Sequence, residues 1–386
     1  MKGLRKYIDK IKPNFEKGGK FQLFHSTFDA FESFLFVPNN VTTKGCHIRD
    51  ASDLKRTMSF VIIALLPSLF FGIWNTGYQH HLAIGLNVSL WENFWFGLKL
   101  VLPIIVVTYV TGLGVEFIFA QIRNHEVNEG FLVTGILIPL IMPVDVPLWI
   151  VAVATAFSVI FVKEAFGGTG MNVFNPALVA RAFVFFAYPS KITGDKVWIS
   201  GMSDGLKTVD GITGATPLSE AALDKIDMLP SLSDLFFGFI PGSIGETSKL
   251  AIILGAIILI ISGVGSARIM ISTVIGGIIM TLIFNAFAVT NYMTVDPLTQ
   301  LMMGGFMFGA VFMATDPVTG SQTPFGKIIY GLLIGMFAIM IRVFNPAYPE
   351  GMMLSILLMN TFAPLIDHII VQRHIKKRIT RTIVKN

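Results

Sequence analysis

Ten apolar runs of helix-forming residues recur along this chain, most of them long enough to approach the roughly 30 Å thickness of a bilayer's hydrocarbon core. In lipid no water is available to a bare N–H or C=O, so each spanning segment has to satisfy its own backbone, as a helix does. The runs lie at 57–74, 95–120, 130–143, 147–166, 173–189, 249–264, 268–289, 298–314, 327–345 and 351–371. With 53% of residues hydrophobic and only 14% charged, the 386-residue chain is not a soluble domain of ordinary composition. The expected fold is an all-α integral membrane protein with about ten transmembrane helices.

Charge sets the expected topology. The formal net charge of +5 is concentrated in two tails, with Lys2, Arg5, Lys6, Lys10, Lys12, Lys17 and Lys20 at one end and Arg373, Lys376, Lys377, Arg378, Arg381 and Lys385 at the other. That distribution is not a nucleic-acid signature. The positive-inside rule puts both tails in the cytoplasm, which requires an even number of spans. The loops 75–94 and 290–297, expected outside, contain no Lys or Arg, whereas Arg123, Lys163, Arg268 and Lys327 fall inside. Arg342, at an outside boundary, runs against the scheme. No cleavable signal peptide is visible, so the first span is expected to act as an uncleaved anchor. The expected divisions are a cytoplasmic amphipathic segment over 1–56, five helices over 57–189, a periplasmic loop over 190–248, five more helices over 249–371 and a basic cytoplasmic tail over 372–386.

Val173-Phe174-Asn175-Pro176-Ala177 recurs as Val343-Phe344-Asn345-Pro346-Ala347, each copy at the start of the fifth helix of its half. Five helices per half is an odd number, so the second half inserts upside down, as in an inverted-topology repeat. The third and eighth runs are both short and broken by Gly or Pro: Gly130, Pro139 and Pro143 in one, Gly304, Gly305, Gly309 and Pro317 in the other. Such segments at matching places point to a site near the midplane, or else to a pair of kinked packing helices. Glu129, with His125 and Asn128 at the mouth of the third helix, and Asp316 at the equivalent place in the second half, are the candidate ion-path acids. Ionisable groups at such depths are costly and therefore informative. Glu116, Glu126, Asp145, Asp296 and Asp367 lie mostly at helix ends, where contact with headgroups or water also accounts for them. Lys163 and Glu164 are adjacent and could neutralise each other.

The polar loop Asp210-Gly211-Ile212-Thr213-Gly214-Ala215-Thr216-Pro217-Leu218 stands out from this apolar background. Gly214 and Ala215 add almost no bulk beside the Thr216 hydroxyl, and Pro217 limits the backbone on its other side. A plain turn uses the same residue types. Gly167-Gly168-Thr169-Gly170-Met171-Asn172 feeds the first Asn-Pro helix, either as an anion or cofactor cradle or for close helix packing. Asn172, Asn175 and Asn345 suit hydrogen bonds to a flavin ring or helix caps. In the first tail, Phe15, Phe21, Phe24, Phe28, Phe31, Phe34 and Phe36 suggest a segment lying on the membrane surface, or one lining a groove for a quinone. The single cysteine, Cys46, excludes an internal disulfide and an iron–sulfur cluster held by this chain alone. No Ser/His/Asp set, Cys/His pair or metal-spaced carboxylate pair suggests hydrolysis.

Taken in order, several segments resemble the B-subunit family of the sodium-translocating NADH:quinone oxidoreductase. They are Glu16-Lys17-Gly18-Gly19-Lys20, His47-Ile48-Arg49-Asp50, His125-Glu126-Val127-Asn128-Glu129-Gly130-Phe131, Lys163-Glu164-Ala165-Phe166-Gly167-Gly168, Asn175-Pro176-Ala177-Leu178, Phe185-Phe186-Ala187-Tyr188-Pro189 and Thr213-Gly214-Ala215-Thr216-Pro217-Leu218. The resemblance implies a urea-transporter-like inverted repeat and FMN joined to Thr216 by a phosphodiester that a separate flavin transferase installs, with Thr213, Gly214 and Ala215 completing the attachment motif. It also implies riboflavin, quinone, Na+ and partner subunits, both membrane-bound and carrying flavin or iron–sulfur centres. Two alternatives are the D subunit of the related ferredoxin:NAD oxidoreductase complex, which lacks the long first tail, and a stand-alone channel on the same scaffold.

Overall fold

The computed structural model describes residues 2–15, 19, 21, 28, 32, 42–46, 54–123, 130–206, 208–209, 213–345 and 351–383. All regular structure among these is helical. The order is α1 (Lys2–Ile11), α2 (Leu54–Ala83), α3 (Leu90–Arg123), α4 (Gly130–Leu140), α5 (Leu148–Ser158), α6 (Pro176–Ala187), α7 (Pro217–Ala222), α8 (Leu232–Phe237), α9 (Lys249–Ile261), α10 (Ala267–Ala286), α11 (Pro297–Met302), α12 (Phe306–Phe308), α13 (Pro324–Phe344) and α14 (Met352–Ile383). Helices α5 and α12 each run on into a wider π-helical stretch, Val159–Glu164 and Gly309–Met313. Five helices, α2, α3, α10, α13 and α14, are long and apolar enough to cross a membrane, which makes this a multi-pass membrane protein.

Helices α2, α3 and α14 outrun their expected spans, reaching 30, 34 and 32 residues. Hydropathy marks only the part of a helix that meets lipid, and these continue through polar ends. The interruptions fall where Gly and Pro placed them. Helix α4 stops after 11 residues, about 16 Å. The eighth run divides at Met303-Gly304-Gly305, and Gly304 takes a φ of +55° that other residues rarely adopt. Starts are set by side-chain caps followed in three cases by proline: Asn175 accepts from the amides of Ala177 and Leu178, Asp296 from Leu298 and Thr299, Thr323 from Gly326, and Ser248 from Ala251.

The packing has the inverted logic of a lipid-embedded protein. Large apolar residues such as Val110, Ile118 and Ile122 point outward, while Glu116, Lys163, Arg181 and Arg342 are buried. Helices α10 and α13 approach closely, because a Cβ on Gly276 or Gly335 would run into the facing backbone at Leu332 or Thr273.

Helix ends collect on two opposite faces. On one, Arg123 at the end of α3 meets Glu164, Asn175 at the start of α6 meets Asp316, and Asp367 of α14 meets residues 321–323 before α13. On the other, the Val209 amide donates to the carbonyl of Ala83 at the end of α2, the Gly245 amide to that of Leu140 at the end of α4, and Lys249 at the start of α9 to that of Gly304.

Candidate functional site

On the second face the loop bearing Thr216 packs over the break in the eighth run. Thr216 caps α7, its Oγ1 accepting from the Ser219 amide at 3.2 Å, while the Ser219 hydroxyl donates to Asp195 at 3.1 Å. Gly214, with φ +70°, brings the chain so close that a Cβ would lie 2.5 Å from the Asp195 carbonyl and 2.7 Å from the Met202 sulfur. Thr213 is exposed and its hydroxyl accepts weakly from the Ala215 amide, at 3.4 Å. Ala215 and Thr216 are half-buried. Burial pushes the Glu220 carboxyl up, Lys225 opposing and Asp195 adding to the push. Thr216, Trp198, Glu246, Lys249 and Gly304 share a cavity of about 20 Å³. Asp210, Gly211 and Ile212 lie outside the described residues.

On the first face lies a cavity of about 100 Å³. Its lining includes Gly130 of α4, Thr169, Gly170, Asn172 and Asn175 of the glycine-rich turn, and Phe312 and Asp316 beyond α12. Asn175 does two things at once. Its carbonyl oxygen caps α6 and its amide donates to Asp316 at 3.2 Å. Asn172 donates to the Phe174 carbonyl at 3.0 Å. The Asp316 carboxylate also accepts from the Val318 amide and the Thr319 hydroxyl. Glu129, with His125, Glu126 and Asn128, lies outside the described residues, but it directly precedes Gly130 in the cavity wall. This volume suits an ion with a few waters, and it is well short of the roughly 300 Å³ of a typical ligand pocket.

The structure rearranges several expected charges. Lys163 and Glu164 do not neutralise each other: Lys163 pairs with buried Glu116 and lies 5.9 Å over the Phe131 ring, while Glu164 pairs with Arg123 at 3.4 Å. Adjacent residues on a helical turn point in different directions, so each found its own partner on α3. Arg342, expected at an outside boundary, is no surface charge. It is buried at the end of α13 and donates to the carbonyls of Gln300 and Met303 at 2.7 and 3.0 Å, with Phe306 beneath it at 5.5 Å. Asp145 accepts from the Gly201 amide and Ser203, Asp296 caps α11, and Asp367 ties down Ser321, Gln322 and Thr323. The repeated Asn-Pro motif also splits in role, since Asn175 opens α6 whereas Asn345 closes α13, and residues 346–350, with the second motif's Pro346 and Ala347, lie outside the described set. Around the first tail, the rings of Phe15, Phe21 and Phe28 stack, and the other phenylalanines singled out there fall outside the described residues.

Sequence reasoning passes over Arg181 and Lys249. Arg181 donates to the Ile141 carbonyl just past α4 and to the Ser243 hydroxyl. Lys249 gives its ammonium to three carbonyls. A cation inside an apolar helix is the signal that could have found both.

A model of the NQR2, RnfD, RnfE family matches residues 41–376. The chain is 45% identical to the B subunit of the Na(+)-translocating NADH-quinone reductase of Ectopseudomonas mendocina (strain ymp), over 99% of this chain and 100% of that one. It is 44% identical to the protein of the same description from Chromohalobacter salexigens, over 98% of this chain and 97% of that one. The corresponding figures for Stutzerimonas stutzeri (strain A1501) are 45%, 99% and 100%.

Proposed function

The chain belongs to the NQR2, RnfD, RnfE family, and we infer from this that it is a membrane subunit of a sodium-pumping NADH:quinone reductase. The observation that carries the inference is identity of 44–45% over nearly the whole length of proteins described as the B subunit of that reductase. It acts within that complex and not alone. A complex isolated through a tag on this chain should reduce quinone with NADH and be stimulated by Na+; a complex indifferent to Na+ counts against the assignment. The ferredoxin-linked D subunit and the stand-alone channel are disfavoured by the same relatives.

Within this reading Thr216 is the acceptor of covalent FMN. The local chemistry fits. The Thr216 hydroxyl sits in a half-buried loop, and an ester oxygen there retains a lone pair for the Ser219 amide. FMN, once attached, supplies one- and two-electron transfer. The chain's own part is to hold the acceptor: Gly214 permits the tight approach to Asp195, and Asp195 anchors Ser219. Thr213 and Ala215 frame the hydroxyl without occupying its approach. Partners in this reading are the other membrane, flavin and iron–sulfur subunits, quinone, and a flavin transferase during maturation; riboflavin is a further expected cofactor.

Ten crossings in two inverted, urea-transporter-like halves belong to the same proposal, with divisions at 57–189 and 249–371 and the Thr216 loop between them over 190–248. The alternation of helix ends between two faces supports it. The Asp316 face is assigned to the cytoplasm of a bacterial inner membrane because the basic end of α14 extends from it, and the tail 1–56 is assigned to the same side. The cavity on that face is proposed as the sodium entry. Asp316 and Glu129 are its acids, and Asn172 and Asn175 are polar groups that an ion with its waters, or part of a flavin, would meet.

A further inference from the structure

Lys249, the first residue of α9, is 1% exposed, yet its charge is fully met. Its Nζ lies 2.8 Å from the carbonyl oxygen of Glu246, 3.2 Å from that of Thr247 and 3.3 Å from that of Gly304. Three acceptors match the three hydrogens of an ammonium, whereas a neutral amine offers only two. Gly304 is the break between α11 and α12. The neighbouring freed carbonyls, those of Gln300 and Met303, are held by the Arg342 guanidinium. Unwound carbonyls at the end of a half-helix are the groups that bind Na+ in membrane transporters. Here they are occupied by the protein's own cations.

The two ends of this interrupted segment are therefore opposite in character. At one end the Asp316 carboxylate lines the larger cavity, attractive to a cation. At the other, the buried cations of Lys249 and Arg342 sit at the break with Glu246 as their nearby carboxylate, and the separate cavity beside Lys249 is only about 20 Å³, room for about one water. Buried charges of like sign repel strongly in such surroundings, and a fixed cation is an established form of barrier to cation passage.

We propose that the Lys249 ammonium is a tethered cation that closes the Thr216-face end of the sodium path by occupying carbonyl oxygens a passing Na+ needs. This rests on the sodium-path reading given above. Na+ can cross only when the ammonium leaves the carbonyls, which makes Lys249 a gate residue and the carbonyls of Glu246, Thr247 and Gly304 its seat. Glu246, whose carboxylate accepts from the Ser243 amide at 3.2 Å, is the nearby counter-charge.

The test is passive 22Na+ efflux from proteoliposomes holding the assembled complex, without NADH. Lys249→Gln and Lys249→Met both remove the charge, and either one in assembled form decides the matter. Each should raise Na+ efflux at least about tenfold over the unsubstituted complex, equivalent to about 1.4 kcal/mol of barrier, with no rise in sucrose efflux. Lys249→Arg keeps a cation and should stay tight. In Lys249→Ala, added propylammonium should suppress the leak by refilling the seat. Tight vesicles from the neutral variants overturn the proposal, as does a leak that admits sucrose equally, which would mark a merely damaged protein. Covalent flavin fluorescence and sodium-stimulated quinone reduction by the unsubstituted complex are scored alongside. If these are absent the underlying reading has failed, and if they are present a tight neutral variant is a failure of the gate alone.

Discussion

The side-chain amide of Asn175 donates to the Asp316 carboxylate at 3.2 Å, joining residues 141 positions apart. One caps the start of α6 and the other lies in the loop after α12, so this hydrogen bond ties two segments distant in sequence together at the wall of the larger cavity.

If the proposed sodium path holds, sodium dependence should follow its two candidate acids. Asp316→Asn and Glu129→Gln keep shape and remove charge, and a carboxylate in apolar surroundings either pairs with a cation or becomes protonated. Each variant should raise the Na+ concentration for half-stimulation of quinone reduction by about tenfold, equivalent to about 1.4 kcal/mol lost at one ion contact, with covalent flavin retained. An unchanged Na+ titration in both variants removes these acids from the path.

Thr216→Ala should abolish the fluorescent flavin band of this chain on a denaturing gel and leave its membrane insertion intact. Thr213→Ala should keep the band, since Thr213 is exposed and bonds only within its own loop. A band that survives Thr216→Ala places the flavin elsewhere.

Gly214→Ala tests the approach that holds the acceptor. The φ of +70° and the contact with Asp195 both penalise a side chain, by about 1 kcal/mol or more for the backbone conformation alone. Attachment of flavin by purified transferase and FAD should slow severalfold, followed by gel fluorescence over time. An unaltered time course shows that the loop adapts freely.

Reporter fusions test the proposed orientation. A fusion at Asn386 should read cytoplasmic and one near Asp204 periplasmic. A periplasmic Asn386 would falsify both the ten-crossing topology and the inverted repeat.

The Glu116–Lys163 pair should be costly to halve. Lys163→Met strands a buried carboxylate, a change of about 3–5 kcal/mol that thermal unfolding of the detergent-solubilised complex should register. Adding Glu116→Gln should recover a large part of the loss. If the double variant is as unstable as Lys163→Met alone, the pairing is not what stabilises this region.

Much of the helical layout is legible in the order of the residues, and particular ones say why. Pro139 lies in the last turn of α4, which ends at Leu140, and Gly304-Gly305 break another run, because backbone preference is local and acts through each residue's own φ, ψ and hydrogen-bonding capacity. The apolarity of α2, α3, α10, α13 and α14 follows equally from composition, whereas the full lengths of α2, α3 and α14 do not. The candidate site is half legible. Thr216, Asn175 and Asp316 stand out as polar residues in an apolar chain. Their roles do not, since Asn175 reads equally well as cap or ligand until Asp316 is placed beside it.

The sequence by itself determined that the chain carries long apolar helices, that Gly304 breaks one of its apolar runs and which polar residues are too costly to be incidental, since all three depend on the properties of nearby groups. Only the tertiary structure decided how the buried charges are met. Lys163 turns from its neighbour to Glu116, Arg342 turns from the expected outside boundary to the carbonyls of Gln300 and Met303, and Lys249 finds Gly304 across 55 positions. The physical reason is that an unpaired charge in low dielectric is prohibitive while its remedy is non-local: any carboxylate or freed carbonyl serves, and which one lies within about 3 Å depends on how distant helices pack.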